Sequence, residues 1–518
     1  MRIDMNIKNT ICKTIFIAAG LFQVIVSENF PPATETYQRL NQDPKKPFVV
    51  SFGTSMSQTH TTNNTCHPRF ISTQLQKLAQ LNKDPRAFLA NLERIWYLLC
   101  SLPYIMCDQC QTTFKPDQFE LQRDKILISN ILTDLAAQKT VTTLTITKCP
   151  HCSGPVTVQA KEITSFTEAH QQAMVDQINF LGLKDQIGCQ SSFPPYRLSV
   201  EASDVMHENS TEFDPEKIAA QAAWLEKLGN PFLFSHHYAN PETIPNLFEK
   251  EEHASWFAKY NAELIKASPN IKYICPISQP SGLSMRIARQ NNLPPFTSSL
   301  SQPEYFKNII RAHVAAYDAI KAVNPNTNVF VSNQWKPMVP LHAAPDPRYY
   351  IELIVSIIAN RMYNHTFVSE LKKYPDKFDG LALSVYPALY FDRWIPCGNN
   401  CSGKIDAKYS LESIMEMHKA FPNKPIFIVE TGCNNSDHKM RKKFIDMTLH
   451  ICAQARELGA DVRGVYFWGH TNDKDFYSEW NTPPRDKYFG MFEGLDPQDP
   501  NGSINPAGEY LKEIVRQR

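Results

Sequence analysis

Glycine is scarce in this chain, 18 among 518 residues, against 37 prolines. That balance excludes collagen-like repeats and glycine-rich linkers and suits stiffened loops between regular elements. Charge of one sign is also missing: Lys and Arg total 53, Asp and Glu 52, and no long run of one sign interrupts the mixture. Nucleic acid and acidic lipid are therefore poor candidates for the main partner. No stretch reaches the ~18 apolar residues that a membrane helix requires, so no stable membrane span is expected. What is present is 42% hydrophobic, 11% aromatic and 20% charged residues, the profile of a folded protein with a large core. The length fits about two to four domains, or one large barrel with insertions.

The N-terminus and the cysteines bear on compartment. Lys8 and Lys13 precede an apolar stretch from Ile15 to Val26, closed by Ser27. It is too short to cross a bilayer but fits a secretory signal over residues 1–27; the alternative is a buried terminal strand or helix. Thirteen cysteines, twelve after removal of Cys12, would be able to pair in an exported protein. Four stand apart. Cys107-Asp-Gln-Cys110 and Cys149-Pro-His-Cys152 are two C-x-x-C knuckles separated by 38 residues. A two-residue gap lets both sulfurs of one knuckle face a single ion, and two knuckles close a tetrahedral shell, so a structural zinc site is expected. Paired disulfides or a redox dithiol are the competing readings, and the second explains only one knuckle. Zinc-type pairs leave a cytoplasmic location open beside export.

From about Gln171 onward, helical patterns alternate with short β-rich runs. Pro215 to Lys227 leads into Pro231 to Ser235, Ala254 to Ala267 into Ile271 to Ile277, and Phe306 to Val323 into Asn328 to Ser332. Leu371 to Tyr374 leads into Gly380 to Tyr386, Ser410 to Ala420 into Pro425 to Glu430, and Lys439 to Leu458 into Val462 to Trp468. With Val49 to Ser55 and Tyr196 to Glu201 these make eight apolar strands. Such strands argue a parallel sheet, and a (β/α)8 TIM barrel is its simplest closure. The expected organisation is residues 28–60 for the start of the barrel, 61–164 for an inserted subdomain and 165–518 for the remainder. The insertion lies between strands 1 and 2 and carries both knuckles. Helices over Phe88 to Leu102 and Ile126 to Gln138, and strands over Val141 to Ile146 and Val156 to Ala160, make it zinc-ribbon-like, stapled by metal.

Polar residues that end apolar strands carry the functional reading. Ile426-Phe-Ile-Val-Glu430-Thr-Gly places an acid where a strand opens into a loop. Arg197 lies in Tyr-Arg-Leu-Ser, His237 closes Phe-Leu-Phe-Ser-His-His, and Gln279 follows Ile-Cys-Pro-Ile-Ser278. Tyr386 and Trp468 end two further strands. An anion, a cation, a phenol and an aromatic plate on one barrel face are what glycoside hydrolysis requires. Taken singly, Arg197 reads equally as a buried structural ion pair, His237 as a core histidine, and Trp468 or Trp480 as core aromatics.

In order, these segments resemble the family 1 glycoside hydrolases, retaining β-glycosidases of the (β/α)8 fold, from about Phe48 to Lys512. Phe52-Gly-Thr-Ser-Met-Ser-Gln58 resembles the opening strand, whose Gln binds the sugar. Tyr196-Arg197-Leu-Ser resembles F-R-F-S, whose Arg contacts the nucleophile. His237-Tyr-Ala-Asn-Pro241 is similar to H-W-D-L-P, and Asp379 to Tyr386 to D-F-L-G-I-N-Y-Y. Val429-Glu430-Thr-Gly is similar to T-E-N-G, which implies Glu430 as nucleophile with Tyr386 beside it. Trp468, then Glu479-Trp480 and Phe489-Gly490, resemble the family's W-S-L-L-D-N-F-E-W and R-F-G-L ending. The implied substrate is a carbohydrate, bound by Gln58, His237, Ser278, Trp468, Glu479 and Trp480, with no cofactor for catalysis. Glu479 implies a neutral hexose, because a carboxylate facing O4 and O6 repels a phosphorylated sugar.

The chain departs from the family at the general acid/base. Lys272-Tyr-Ile-Cys-Pro-Ile-Ser278-Gln279-Pro280 fits, without a gap, the strand that ends N-E-P, so Gln279 stands where the acid is expected. Ser278 and Ser384 replace two asparagines, which leaves the sugar 2-position loosely specified. An amide neither protonates a departing oxygen nor deprotonates water, and losing a positioned acid costs ~10²–10⁴ in rate. Three readings follow: a substrate whose leaving group needs no proton, as in plant members that cleave thioglucosides; a proton from another carboxylate such as Glu201; or a sugar-binding pseudoenzyme. Sequons occur at Asn209, Asn364 and Asn434, and Cys397 with Cys401 forms a possible loop pair.

Overall fold

The computed structural model describes residues 30–55, the insertion segments 104–107, 113–114, 143–148 and 155–159 with residues 109 and 152, and residues 168–517. Within the last span, 191–192, 208–209, 238–242, 245–246, 290–300, 336–337, 343, 387–388, 393–394, 398–406, 475–485 and 495–497 are outside the description. The segment expected to be a signal, both helices expected in the insertion, Cys110, Cys149, Cys401, Asn209, Gln58, Glu479 and Trp480 therefore lie outside the described residues.

Eight parallel strands close into a barrel. In chain order they are β1 (Val49–Ser55), β6 (Arg197–Ser199), β7 (Phe232–Phe234), β8 (Tyr273–Cys275), β9 (Asn328–Trp335), β11 (Gly380–Val385), β14 (Ile426–Thr431) and β15 (Val462–Trp468), and β15 pairs back onto β1. Each overlaps an expected run. Several are only three residues long because pairing covers just the part of each apolar run that meets both neighbours. Between them run α1 (Pro215–Lys227), α2 (Glu251–Ala267), α3 (Gln302–Val323), α4 (Ala407–Ala420) and α5 (His438–Glu457). Asp214 caps α1 by accepting from the backbone of Glu216 and Lys217, with Pro215 at the first helical position.

Side-chain alternation sorts the core into two layers. Val49, Phe232, Phe234, Tyr273, Phe330, Ala382, Phe427, Val429 and Tyr466 fill the barrel interior. Leu198, Leu233, Ile274, Val329, Val331, Leu381, Leu383, Ile426 and Ile428 pack outward with the helices. Gly53 pairs with Arg197 on one side and Trp468 on the other; a Cβ there would stand 2.6 Å from that of Arg197. Glycine is thus what lets the guanidinium stem pass.

Two of the three smaller sheets among the described residues lie between barrel strands in sequence. β10 (Met338–Pro340) after β9 joins β12 (Leu389–Asp392) and β13 (Ile395–Cys397) after β11 in a three-stranded sheet. Between β1 and residue 168 lie β2 (Tyr104–Cys107), β3 (Thr113–Phe114), β4 (Thr143–Lys148) and β5 (Pro155–Gln159), an antiparallel sheet of order β3-β2-β5-β4. The helix expected near Leu371 to Tyr374 instead covers Thr366–Leu371 and continues from Pro347–Asn360 through a π turn, Arg361–His365. Asn364 sits in that turn at 2% exposure and donates to Asn360 Oδ1, so this sequon is sealed from solvent. Cys275 and Cys452 are buried thiols without a disulfide, each raised to about 12 by burial. They behave as packing groups rather than as part of a disulfide framework.

Candidate active site

Strict alternation along β14 would turn Glu430 outward, because Ile426 and Ile428 face the helices while Phe427 and Val429 face the interior. A bulge prevents this. Leu383 pairs with Ile428 but Ser384 pairs with Glu430, leaving Val429 as the extra residue, and the β14–β15 register shifts at the same place. A bulge re-aims the side chains beyond it. The carboxylate of Glu430, 6% exposed, consequently points into the mouth of the barrel.

Three side chains from three other strands meet it there. Tyr386, just past β11, donates its hydroxyl to Glu430 Oε1 at 2.9 Å. Gln279, past β8, donates Nε2 to the same oxygen at 2.9 Å and to Ser384 Oγ at 3.0 Å. Arg197 on β6 holds Nη2 3.6 Å from Glu430 Oε2 and donates Nη1 to the Thr54 carbonyl at 3.0 Å. Its guanidinium is fully buried, 4.2 Å from the ring centre of Phe234 and 4.8 Å from that of Trp468. Stacked between rings and facing a carboxylate, the cation is held by the kind of contacts for which arginine is suited.

Gln279 itself sits in a left-handed backbone conformation, φ +47°, immediately before a helix over Pro280–Arg289. Its N–H donates to Ser332 Oγ at 3.3 Å, and Ser278 donates its N–H to the His236 carbonyl at 2.9 Å. Backbone strain of this kind in a non-glycine residue clusters at functional sites. The amide and the acid do face each other, but in direct contact rather than across a sugar-sized gap. The reason is electrostatic: two carboxylates repel, whereas an amide N–H and a carboxylate attract.

His237 lies flat on Trp468, ring centres 5.6 Å apart and planes 6° from parallel. Ser199 Oγ is 3.0 Å from its Nδ1. Sequence reasoning missed Ser199, although it stands two residues beyond Arg197 on the same strand face, a spacing that signals a shared environment. The carboxylate of Glu201 is 3.9 Å from His236, which packs against Phe248 and Phe257; burial, and after it the charges of Glu201 and Asp204, raise the pKa of Tyr260 on α2. Among the described residues no group of three or more His, Cys, Asp or Glu side chains is placed to hold a metal ion, and no helix is long and apolar enough to cross a membrane.

No protein-family model and no curated protein matches this chain. Solved structures do match. A β-glycosidase from Pyrococcus horikoshii superimposes with a TM-score of 0.54 at 18% identity, covering 67% of this chain and 85% of the other. The β-glycosidase BGL167 gives 0.55 at 18% over 67% and 86%. A family 1 β-glucosidase from Thermotoga maritima gives 0.53 at 14% over 67% and 86%. The chain shares their barrel fold.

Proposed function

We propose that this protein is a β-glycosidase-like hydrolase of neutral β-hexosides, with Glu430 as nucleophile and Gln279 in the acid/base position. The observation that carries this reading is a buried carboxylate flanked by a phenol and a buried guanidinium at the C-terminal face of a (β/α)8 barrel. A binding pocket has no need of an attacking acid held so firmly.

In the first step an oxygen of Glu430 attacks the anomeric carbon and forms a glycosyl ester as the bond to the leaving group breaks. The leaving group takes the electron pair and departs as an anion, because Gln279 has no proton to give. Aryl oxides and thiolates tolerate that; alkoxides do not. In the second step water or another nucleophile displaces Glu430, again without a base, so the ester is long-lived and transfer to a better nucleophile belongs to the same reading. Tyr386 and Arg197 hold Glu430 in position. His237 and Trp468 supply sugar contacts, and the small Ser278 and Ser384 leave room at the 2-position. The protein as a whole is proposed to be exported.

The test is hydrolysis of nitrophenyl or fluorinated β-glycosides beside alkyl ones, with Glu430→Ala and azide. Expected are turnover of aryl substrates only, its loss in Glu430→Ala, and recovery as the glycosyl azide of inverted configuration. One observation favours a second reading, a sugar-binding pseudoenzyme. The hydrogen bond between Gln279 and Glu430 occupies the space where the anomeric carbon would react. Saturable sugar binding with no turnover of any aryl glycoside would decide for it.

A further inference from the structure

Six of the eight large apolar side chains exposed among the described residues fall within one short stretch: Leu341, Tyr350, Ile351, Ile354, Ile357 and Ile358. The last five belong to the Pro347–Asn360 helix and are between 42% and 59% exposed. Their spacing, i, i+1, i+4, i+7 and i+8, puts them on one face ~120° wide at 3.6 residues per turn. The buried side of the same helix carries Glu352, 0% exposed, and Ser356, 2% exposed. That reverses the usual order, in which the apolar stripe of a surface helix turns toward the core. Polar anchors fix the rotation. Glu352 accepts from the His342 N–H at 2.9 Å and lies 2.7 Å from His342 Nδ1. Asn360 donates to the Met338 carbonyl at 2.8 Å and accepts from the Met338 N–H at 3.2 Å, which ties the end of the helix to β10. Turning the isoleucines inward would break these bonds, so the apolar face is held outward.

We infer that this face pairs with the same face of a second copy of the chain, antiparallel about a two-fold axis through Ile354. A two-fold contact must be complementary to itself, and this face is. With Ile354 on the axis, Tyr350 meets the partner's Ile358 and Ile351 meets the partner's Ile357, so apolar meets apolar at each position. No charge interrupts the pairing, because Glu352, the one charged residue from Tyr350 to Ile358, points the other way. The area is also sufficient. Five side chains exposed to this degree present roughly 500 Å², toward the upper end of what monomers leave open, and two copies bury ~1,000 Å², the threshold for a specific interface. A lipid surface fits less well. A helix lying on a membrane keeps Lys and Arg on its polar face. Here that face is turned into the protein and carries a glutamate, while Arg348 at the start of the helix is paired with Asp346 at 2.7 Å.

The test is the mass of the full-length protein in solution, followed by sedimentation over a range of concentrations. The wild type is expected to run as a dimer. Ile354→Glu, a change at an exposed position, is expected to keep the wild-type circular dichroism and to raise the dissociation constant ~100-fold or more, since two carboxylates then meet on the axis. Ile354→Lys is expected to be monomeric for the same reason. An equimolar mixture of the two variants is expected to recover the dimer, because Glu then faces Lys; that recovery reads the register and not merely the loss of an apolar side chain. Leu458→Glu, at an exposed apolar residue just past α5, is expected to stay dimeric. A wild type that remains a monomer at every concentration overturns the proposal, whether this helix is then found covered by another part of its own chain or bound to phosphatidylcholine–phosphatidylserine vesicles. A dimer that survives Ile354→Glu overturns it as well. None of these readouts depends on glycosidase activity.

Discussion

Gln279 donates a 2.9 Å hydrogen bond to the carboxylate of Glu430, the residue it should oppose across a substrate. Replacing that amide by an acid changes both chemistry and spacing. In Gln279→Glu two carboxyl groups share one site, and since both cannot ionise at such range, the pair keeps a proton. Under the proposed function, that proton would serve as the general acid. Hydrolysis of alkyl β-glycosides is expected to rise by ~10²–10⁴, with a smaller gain for aryl substrates. The rate should fall again at high pH as the shared proton is lost. A variant that binds sugar yet gains nothing on alkyl substrates would mean that the site lacks more than its proton donor.

Arg197 and Glu430 form a buried pair, with side-chain exposures of 0% and 8%. Removing one member leaves the other charged and desolvated, which costs ~3–5 kcal/mol. Arg197→Met is therefore expected to lower the thermal midpoint clearly, and Arg197→Lys to do so in part, because an ammonium cannot replace the planar stack against Phe234 and Trp468. Arg197→Met combined with Glu430→Gln is expected to be less destabilised than the sum of the two single changes. Strict additivity in that cycle would show the pair to be energetically uncoupled.

The barrel was legible because buried parallel strands must be apolar on both faces, and eight such runs separated by helical patterns leave few other closures. β1 and β15 coincide with their expected runs, Val49 to Ser55 and Val462 to Trp468. The convergence on Glu430 was legible only as polar residues at strand ends. Its direction was not, since periodicity alone turns Glu430 outward and the bulge at Val429 depends on pairing with two neighbouring strands. The sheet of β10, β12 and β13 escaped notice for a similar reason. Its strands are three or four residues long, and β12 finds β10 in a different loop.

Three fully buried histidines make stability depend on acid. Burial holds His236 and His470 down to about 3, and His313 to about 4 despite a hydrogen bond to the Lys377 carbonyl and the nearby Asp379. Their folded pKa values lie below the ordinary ~6.5, so the unfolded chain takes up protons that the folded one refuses. Their contribution is complete above about pH 6.5 and is lost as pH falls from there toward 3, by ~1 kcal/mol per pH unit for each ring. His470 faces Tyr196, Gln177, Phe52 and Phe492, with no charged side chain among these contacts. His470→Gln is expected to have a lower midpoint than the wild type at pH 7 and a smaller further loss between pH 6.5 and 4. Parallel curves for the two proteins would remove His470 from the acid response.

Ser199 sets what His237 offers to a ligand. A hydroxyl 3.0 Å from Nδ1 that donates there fixes the neutral tautomer with hydrogen on Nε2, and the flat stack on Trp468 fixes the ring plane. A sugar hydroxyl would then meet an N–H donor already held in place. Ser199→Ala leaves the stack but removes this contact from Nδ1, so KM for an aryl glycoside is expected to rise about tenfold, the equivalent of one hydrogen bond, while kcat changes little. Ser199→Thr keeps the hydroxyl and should recover most of the loss. Nitrogen NMR of the His237 ring reads the tautomer without any substrate. If that signal is unchanged in Ser199→Ala, the ring is held by something other than this contact.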